Sequence, residues 1–157
     1  MTITFVQGDI FLSRAQVLAF GTNARGAVEV TPLTTGWIYR FPAAFSAFRK
    51  RARAGRLQAG EWWLWRDAVP WLGLMVVRQH SGGATRPRYV ETAAQRLARD
   101  WQREGIRSLA IARLGEPLEW PTLRRTLDYW LAAAGLPVVV YEEHLPGIRA
   151  PEPWDSQ

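Results

Sequence analysis

Apolar runs of two kinds alternate along the chain. Thr2 to Val6 alternates apolar and polar positions, which predicts a half-buried strand that stops at Gln7-Gly8-Asp9-Ile10. A second run from Ala15 predicts a buried strand over Val17 to Phe20, ending in the polar turn Gly21 to Gly26. Thr31-Pro32 reads as a boundary. From Pro42 to Arg56 the apolar positions Ala43, Ala44, Phe45, Ala47 and Phe48 fall at helical spacing, and Gly55 suits the helix end. Gly60 to Arg66 is aromatic and strand-like, and Leu72 to Val77 is wholly apolar, as a buried central strand would be. Gln79 to Pro87 reads as a loop. Val90, Ala93, Ala94, Leu97, Ala98 and Trp101 mark one face of a helix over Tyr89 to Arg103, closed by Gly105. Ser108 to Ala112 predicts another buried strand. A helix follows over Pro121 to Ala134, with proline in its first turn and Gly135 just past its end. Pro137 to Tyr141 is the last expected strand. Strands alternating with capped helices predict one three-layer α/β/α domain over residues 1–145, with a mixed central sheet and helices on both faces. The tail, residues 146–157, is Pro-rich and expected to be loose.

Composition narrows the chemistry. A chain of 157 residues, 48% hydrophobic and 22% charged, is long enough for one real core. It has no apolar run of membrane-spanning length and no charged-then-apolar leader, so a cytoplasmic protein without membrane contact is expected. Cysteine is absent, which excludes disulfides, thiolate metal sites and a cysteine nucleophile. The two histidines, His80 and His144, stand far apart, so neither a metal nor another cofactor is expected. Net charge is +6, carried almost wholly by arginine, with Lys50 the one lysine. Arginine forks hold phosphates and carboxylates and stay charged. The dense basic run Arg49 to Arg56 is nevertheless explained by the C-terminal dipole of its helix, ahead of a nucleic-acid patch.

The chain contains no GxxxxGK[ST], GxGxxG, HExxH or GxSxG signature. Four turns remain, each after a buried strand: Gly8-Asp9-Ile10, Asn23 to Gly26, Arg78 to Gly83 and Leu114 to Glu119. In open α/β sheets ligands bind outside the carboxyl ends of the strands. Asn23 is the only asparagine in the chain. Its type suits a tight turn as well as a ligand contact, and both readings stand. The same holds for Asp9, which would serve equally as a helix N-cap.

In order and spacing these turns resemble the macrodomain family of ADP-ribose-binding modules. The resemblance covers roughly residues 2 to 143 and runs to the DarG-like branch, which removes ADP-ribose from nucleic acid or carboxylate side chains. It is carried by ITFVQGDIFLSRAQVLAFGTNARG at the start, Tyr39-Arg40-Phe41-Pro42, Leu114-Gly115 with Leu118-Glu119-Trp120, and Val140-Tyr141-Glu142. The resemblance implies that Gly8, Asp9 and Ile10 receive the adenine, the Asp9 carboxylate accepting from its amino group and Ile10 donating a backbone N–H. It implies that Asn23 contacts the distal ribose, Gly26 admits close backbone approach, Leu114, Gly115 and Glu116 lie beside the diphosphate, and Tyr141 lies near the adenine.

The sequence departs from that pattern in three places. Ala27-Val28-Glu29-Val30-Thr31 replaces a glycine-rich phosphate loop, and Glu29 would repel a phosphate unless it faces away. Glu116-Pro117 shortens a second such loop, and Pro117 lacks an N–H. The branch's catalytic lysine aligns with Arg78, whose guanidinium stays protonated and cannot act as an amine nucleophile. Three readings follow. One is a module that binds ADP-ribose or a related adenine nucleotide, with weak or altered glycohydrolase activity that uses no lysine intermediate and relies on Asn23 and Arg78. Another is a degenerate macrodomain serving as a nucleic-acid or protein interaction module. The third is a hydrolase that activates water with Asp9, Glu29, Glu116 or His80. The partner expected is ADP-ribose or an ADP-ribosylated macromolecule, with nucleic acid reached through the basic surface.

Overall fold

The computed structural model describes residues 3–156, so Thr2, the expected start of the first strand, lies outside the described residues together with Met1 and Gln157. A six-stranded sheet is built from β1 (Ile3–Gly8), β2 (Val17–Asn23), β3 (Trp62–Trp65), β4 (Trp71–Arg78), β5 (Leu109–Ala112) and β6 (Val138–His144), in the order β1-β6-β5-β2-β4-β3. Every neighbouring pair is parallel except β3 with β4. The helices are α1 (Pro32–Arg40), α2 (Pro42–Arg53), α3 (Pro87–Asp100) and α4 (Trp120–Leu131). This is the mixed α/β/α architecture that the alternation of elements predicts.

The period of two along each strand divides the core into two layers. On one face Met75, Val77, Leu109, Ile111, Val138 and Val140 pack under α3 and α4 through Val90, Ala93, Leu97, Leu123 and Leu127. On the other, Leu72, Leu74, Val76, Ala110 and Val139 pack under α1 and α2 through Trp37, Ala44 and Phe48. Each buried Leu, Val or Phe contributes about 1.5–3 kcal/mol relative to exposure. Gly73 in β4 is required by contact. A Cβ there would lie 2.1 Å from the ring of Trp62, which crosses from the edge strand β3 onto this position.

The structure adds to the sequence reading in three places. Strands β2 and β6 run on to Asn23 and His144, so residues expected in turns are held in the sheet. The segment read only as a boundary at Thr31-Pro32 opens α1. Thr31 caps it, its Oγ1 accepting from the Thr34 N–H at 3.1 Å, and Pro32 fills the first turn. Phe41, with φ −127° and ψ 59°, separates α1 from α2, because a residue before proline is pushed out of the helical region.

The tail is tied down rather than loose. Leu145 N–H donates to Gly8 O at 3.0 Å, Asp9 N–H donates to Ile148 O at 2.7 Å, and Ala150 is buried. Glu152, 6% exposed, accepts from Ser13 Oγ, Arg14 N–H, the Tyr141 hydroxyl and Trp154 Nε1. A carboxylate with that many donors acts as an anchor, which no periodicity in the tail announces.

Candidate functional site

At the carboxyl ends of β6, β5, β2 and β4 lies a cleft of about 970 Å³. Its floor is Phe20 and Gly21 of β2 with Ala112 at the end of β5. Its walls are the loop from Val28 into α1, the loop Ser81–Thr85, the turn Arg113–Glu116, and Glu143 with His144. The parallel strands end together here, so loops that connect to different helices converge on one opening.

One wall is a continuous polar chain. Asn23 is fully buried, and all its hydrogen-bonding capacity is used. Its Nδ2 donates to Ala27 O at 3.0 Å and to Glu29 Oε2 at 2.8 Å, while its Oδ1 accepts from the Arg25 and Ala27 N–H groups. Glu29 is held from the other side by Arg78, whose Nη2 and Nε donate to its two oxygens at 2.6 and 3.1 Å. Arg78 Nη1 then donates to Thr85 Oγ1 at 2.6 Å. Thr85 N–H donates to Glu119 Oε2 at 3.1 Å, and the other oxygen of Glu119 accepts from the Glu116 N–H at 2.7 Å. The Glu29 and Arg78 side chains are 14% and 13% exposed, a partly desolvated bidentate pair. Glu119 thus joins the Ser81–Thr85 loop to the Arg113–Glu116 turn.

Of the residues expected in a site, Arg78, Leu114, Gly115 and Glu116 line the cleft. Gly8, Asp9, Ile10, Asn23, Gly26, His80 and Tyr141 do not. Asp9 is the N-cap of the 3-10 turn Ile10–Leu12: Oδ1 accepts from the Phe11 N–H at 3.0 Å and Oδ2 from the Gly147 N–H at 2.8 Å. Gly8 is covered by the tail, where an added Cβ would lie 2.9 Å from Ala150 Cβ. Gly26, at φ +67°, is approached by α2, since a Cβ there would lie 2.8 Å from Ala52 Cβ. His80 is exposed and rests its Nδ1 on its own turn at Ser81 O. Tyr141 points into the core and donates to Glu152 at 2.7 Å; burial, and then that bond, push its phenol above the ordinary value. Glu29 lines the cleft with its carboxylate held by Arg78 and Asn23.

Other cleft residues escape the sequence reading. His144, Glu143 and Thr34 line it because β6 runs on and α1 exists. The His144 ring meets Phe11 edge-on at 6.1 Å, and Phe11 stacks on Phe20 at 5.5 Å with the Arg40 guanidinium 4.0 Å from its ring centre. The only hint is the type of the last residue in Glu142-Glu143-His144. Among the described residues no group of His, Asp or Glu is placed to hold a metal ion, and no helix is long and apolar enough to cross a membrane.

No family model matches the chain. A DNA ADP-ribosyl transferase-DNA ADP-ribosyl glycohydrolase fusion protein from Thermosipho africanus (strain H17ap60334) is 24% identical over 172 residues, an alignment taking in 94% of this chain and 44% of that protein. The chain therefore spans less than half the length of the curated relative it matches. Among solved structures, the macrodomain of Thermus aquaticus DarG superposes with a TM-score of 0.80 at 24% identity, covering 89% of this chain and 97% of that one. Thermosipho africanus DarTG in complex with ADP-ribose gives a TM-score of 0.82 at 23% identity, covering 96% of this chain and 43% of that one. With its sheet order, its layers and its strand-end cleft, this chain has the fold of a DarG-like macrodomain.

Proposed function

We propose that the strand-end cleft binds an adenine nucleotide of the ADP-ribose class. The observation that carries this reading is the cleft itself, at the switch of the strand order, in a fold whose solved relative was obtained in complex with ADP-ribose. Gly82, Ala84 and Gly115 line the cleft, and among the described residues no hydrogen bond from their backbone N–H groups is found. Such groups suit a diphosphate. A cytoplasmic location and an ADP-ribosylated macromolecule as the source of the ligand go with this reading. The relative's name points to DNA as that macromolecule.

If the protein also releases ADP-ribose, water rather than an amine attacks the anomeric carbon. Arg78 stays cationic and is committed to Glu29 and Thr85. Lys50 lies in the last turn of α2, and its residue is not part of the cleft. Arg78 would then stabilise developing charge, not form a bond. A second reading, a non-catalytic interaction module, is favoured by one observation: Asn23, Glu29 and Arg78 satisfy each other without a ligand. Calorimetric titration with ADP-ribose, ADP and AMP separates the two. Absence of binding by all three would discard the nucleotide reading and leave the interaction module.

A further inference from the structure

We propose that the chain carries a second anion site, at the opposite end of the sheet from the cleft, which takes a nucleotide through its phosphate. Its place is a hollow of about 630 Å³ where β2, β4 and β5 begin. Trp71 in the hollow and Arg78 in the cleft stand at the two ends of β4, about 23 Å of strand apart. The two openings share strands but no lining residue.

Gln16 fixes the frame of the hollow. Its main-chain N–H donates to Ser108 Oγ at 2.8 Å, and its carbonyl accepts from the Trp71 N–H at 2.8 Å. Its side chain donates from Nε2 to Gly105 O at 3.1 Å and accepts at Oε1 from the Arg107 N–H at 2.6 Å. One residue thus joins three segments that are distant in sequence. The walls are ordered before any ligand arrives, so binding has little order to impose.

The hollow is cationic. Arg14 and Arg107 line it, and both are exposed. Their main chains belong to the frame: Arg14 N–H donates to Glu152, and Arg107 N–H to Gln16. Among the described residues neither guanidinium has a hydrogen bond or an ion pair. No carboxylate lines the hollow. Glu152, which meets Ser13 and the Arg14 N–H, is buried and also accepts from Tyr141 and Trp154. Ser108 Oγ accepts from Gln16 and keeps its hydrogen to donate. Two arginine forks and a hydroxyl, with no carboxylate among them, suit a phosphate.

The remaining wall is apolar, formed by Val69, which is 97% exposed, with Pro70 and Trp71. Arg66 lies 5.4 Å from the Trp71 ring centre and donates to Glu104 O at 2.8 Å, which steadies the ring. A bare anion has no use for such a wall. A phosphate that carries a planar base does, because the base lies on aromatic and apolar surface while the phosphate meets the arginines. The nucleotide is free or a unit of a single strand, and the experiment separates the two sources.

The test is fluorescence anisotropy with a labelled oligothymidylate over a range of salt, with thymidine 5′-monophosphate and inorganic phosphate as competitors. Thymidine is chosen because the cleft is read as taking adenine. The native chain is compared with Arg14→Ala plus Arg107→Ala, with Val69→Asp, and with Lys50→Ala plus Arg53→Ala, which removes the same charge from α2. Thermal melting checks each fold; the arginine changes spare the main-chain bonds of the frame, and Val69 is outside the core. Loss of Arg14 and Arg107 is expected to weaken binding about tenfold or more. It should also flatten the slope of log affinity against log salt by about 1.4, the value for two phosphate contacts on a single strand. Val69→Asp is expected to weaken binding about threefold or more, and the α2 pair to change it less than that. Thymidine monophosphate should compete about tenfold better than inorganic phosphate, since only it fills the apolar wall. A strand that binds much tighter than the mononucleotide identifies the strand as the source; equal affinity identifies the free nucleotide. Equal losses in the two double variants, equal competition by inorganic phosphate, or no binding of any probe would each overturn the proposal and leave the reading of the cleft untouched.

Discussion

At the scale of single residues, the cleft is governed by which polar atoms are already satisfied. Asn23 links two backbone N–H groups, one carbonyl and Glu29. Its replacement by alanine should cost about 1–3 kcal/mol by removing the hydrogen bonds of a buried side chain, read as a lower urea midpoint. Asp9 caps the turn at Ile10 and also holds Gly147. Asp9→Ala is expected to lower stability by about 1–2 kcal/mol. Faster amide exchange at Phe11 and Gly147 should accompany the loss. Weaker nucleotide binding at unchanged stability would instead assign the carboxylate to a ligand. For chemistry, borohydride treatment in the presence of ADP-ribose is expected to trap no adduct, with or without Lys50→Ala. A covalent adduct on the native chain would restore an amine mechanism. These residue types were readable in the sequence, but their partners were not: Glu29 and Arg78 are far apart in the chain and meet only because β2 and β4 are neighbours.

At the scale of elements, propensity and capping set most boundaries, and packing moves the rest. The strands end later than their apolar runs because pairing continues: Asn23 is registered with Arg78, and His144 with Gly8. Helix α1 lacks the broad apolar stripe that α3 shows. Its fully enclosed residue is Trp37, and Gly36 is bare where the Phe11 ring presses against it. Edge strand β3 depends on Trp62 lying over Gly73. Gly73→Ala should therefore cost about 1–3 kcal/mol through overpacking, visible as a lower melting temperature. Just beyond α3, burial raises the Glu104 carboxyl above its usual value. Proton binding then favours the folded state. Glu104's contribution is present below the ordinary carboxylate range, about pH 4.3, and is lost as pH rises through the higher folded value. Glu104→Gln is expected to stabilise the protein at neutral pH and to lose that advantage in acid. An equal effect at both pH values would exclude titration as the cause.

At the scale of the whole molecule, charge is the property that fold leaves undecided. Net charge is +6, yet several arginines are engaged. Arg51 meets Glu61, Arg124 meets Glu142, and Arg99 and Arg103 meet Asp100. The α2 end around Lys50 and Arg53 is expected to give only weak, salt-sensitive association with single-stranded DNA. Tight binding near 0.15 M salt that vanished on neutralising those residues would promote the interaction-module reading. The sequence by itself determined the alternation of elements, the layers and the strand ends where a ligand would sit. Those follow from local periodicity and from residues such as Pro87, Gly105 and Gly135 that punctuate it. Only the tertiary structure decided what occupies those strand ends. Tyr141 turned to Glu152, Asp9 to Gly147, and Glu29 to Arg78. The physical reason is that a polar side chain takes whichever partner folding brings within about 3 Å, and sequence spacing carries no record of that partner.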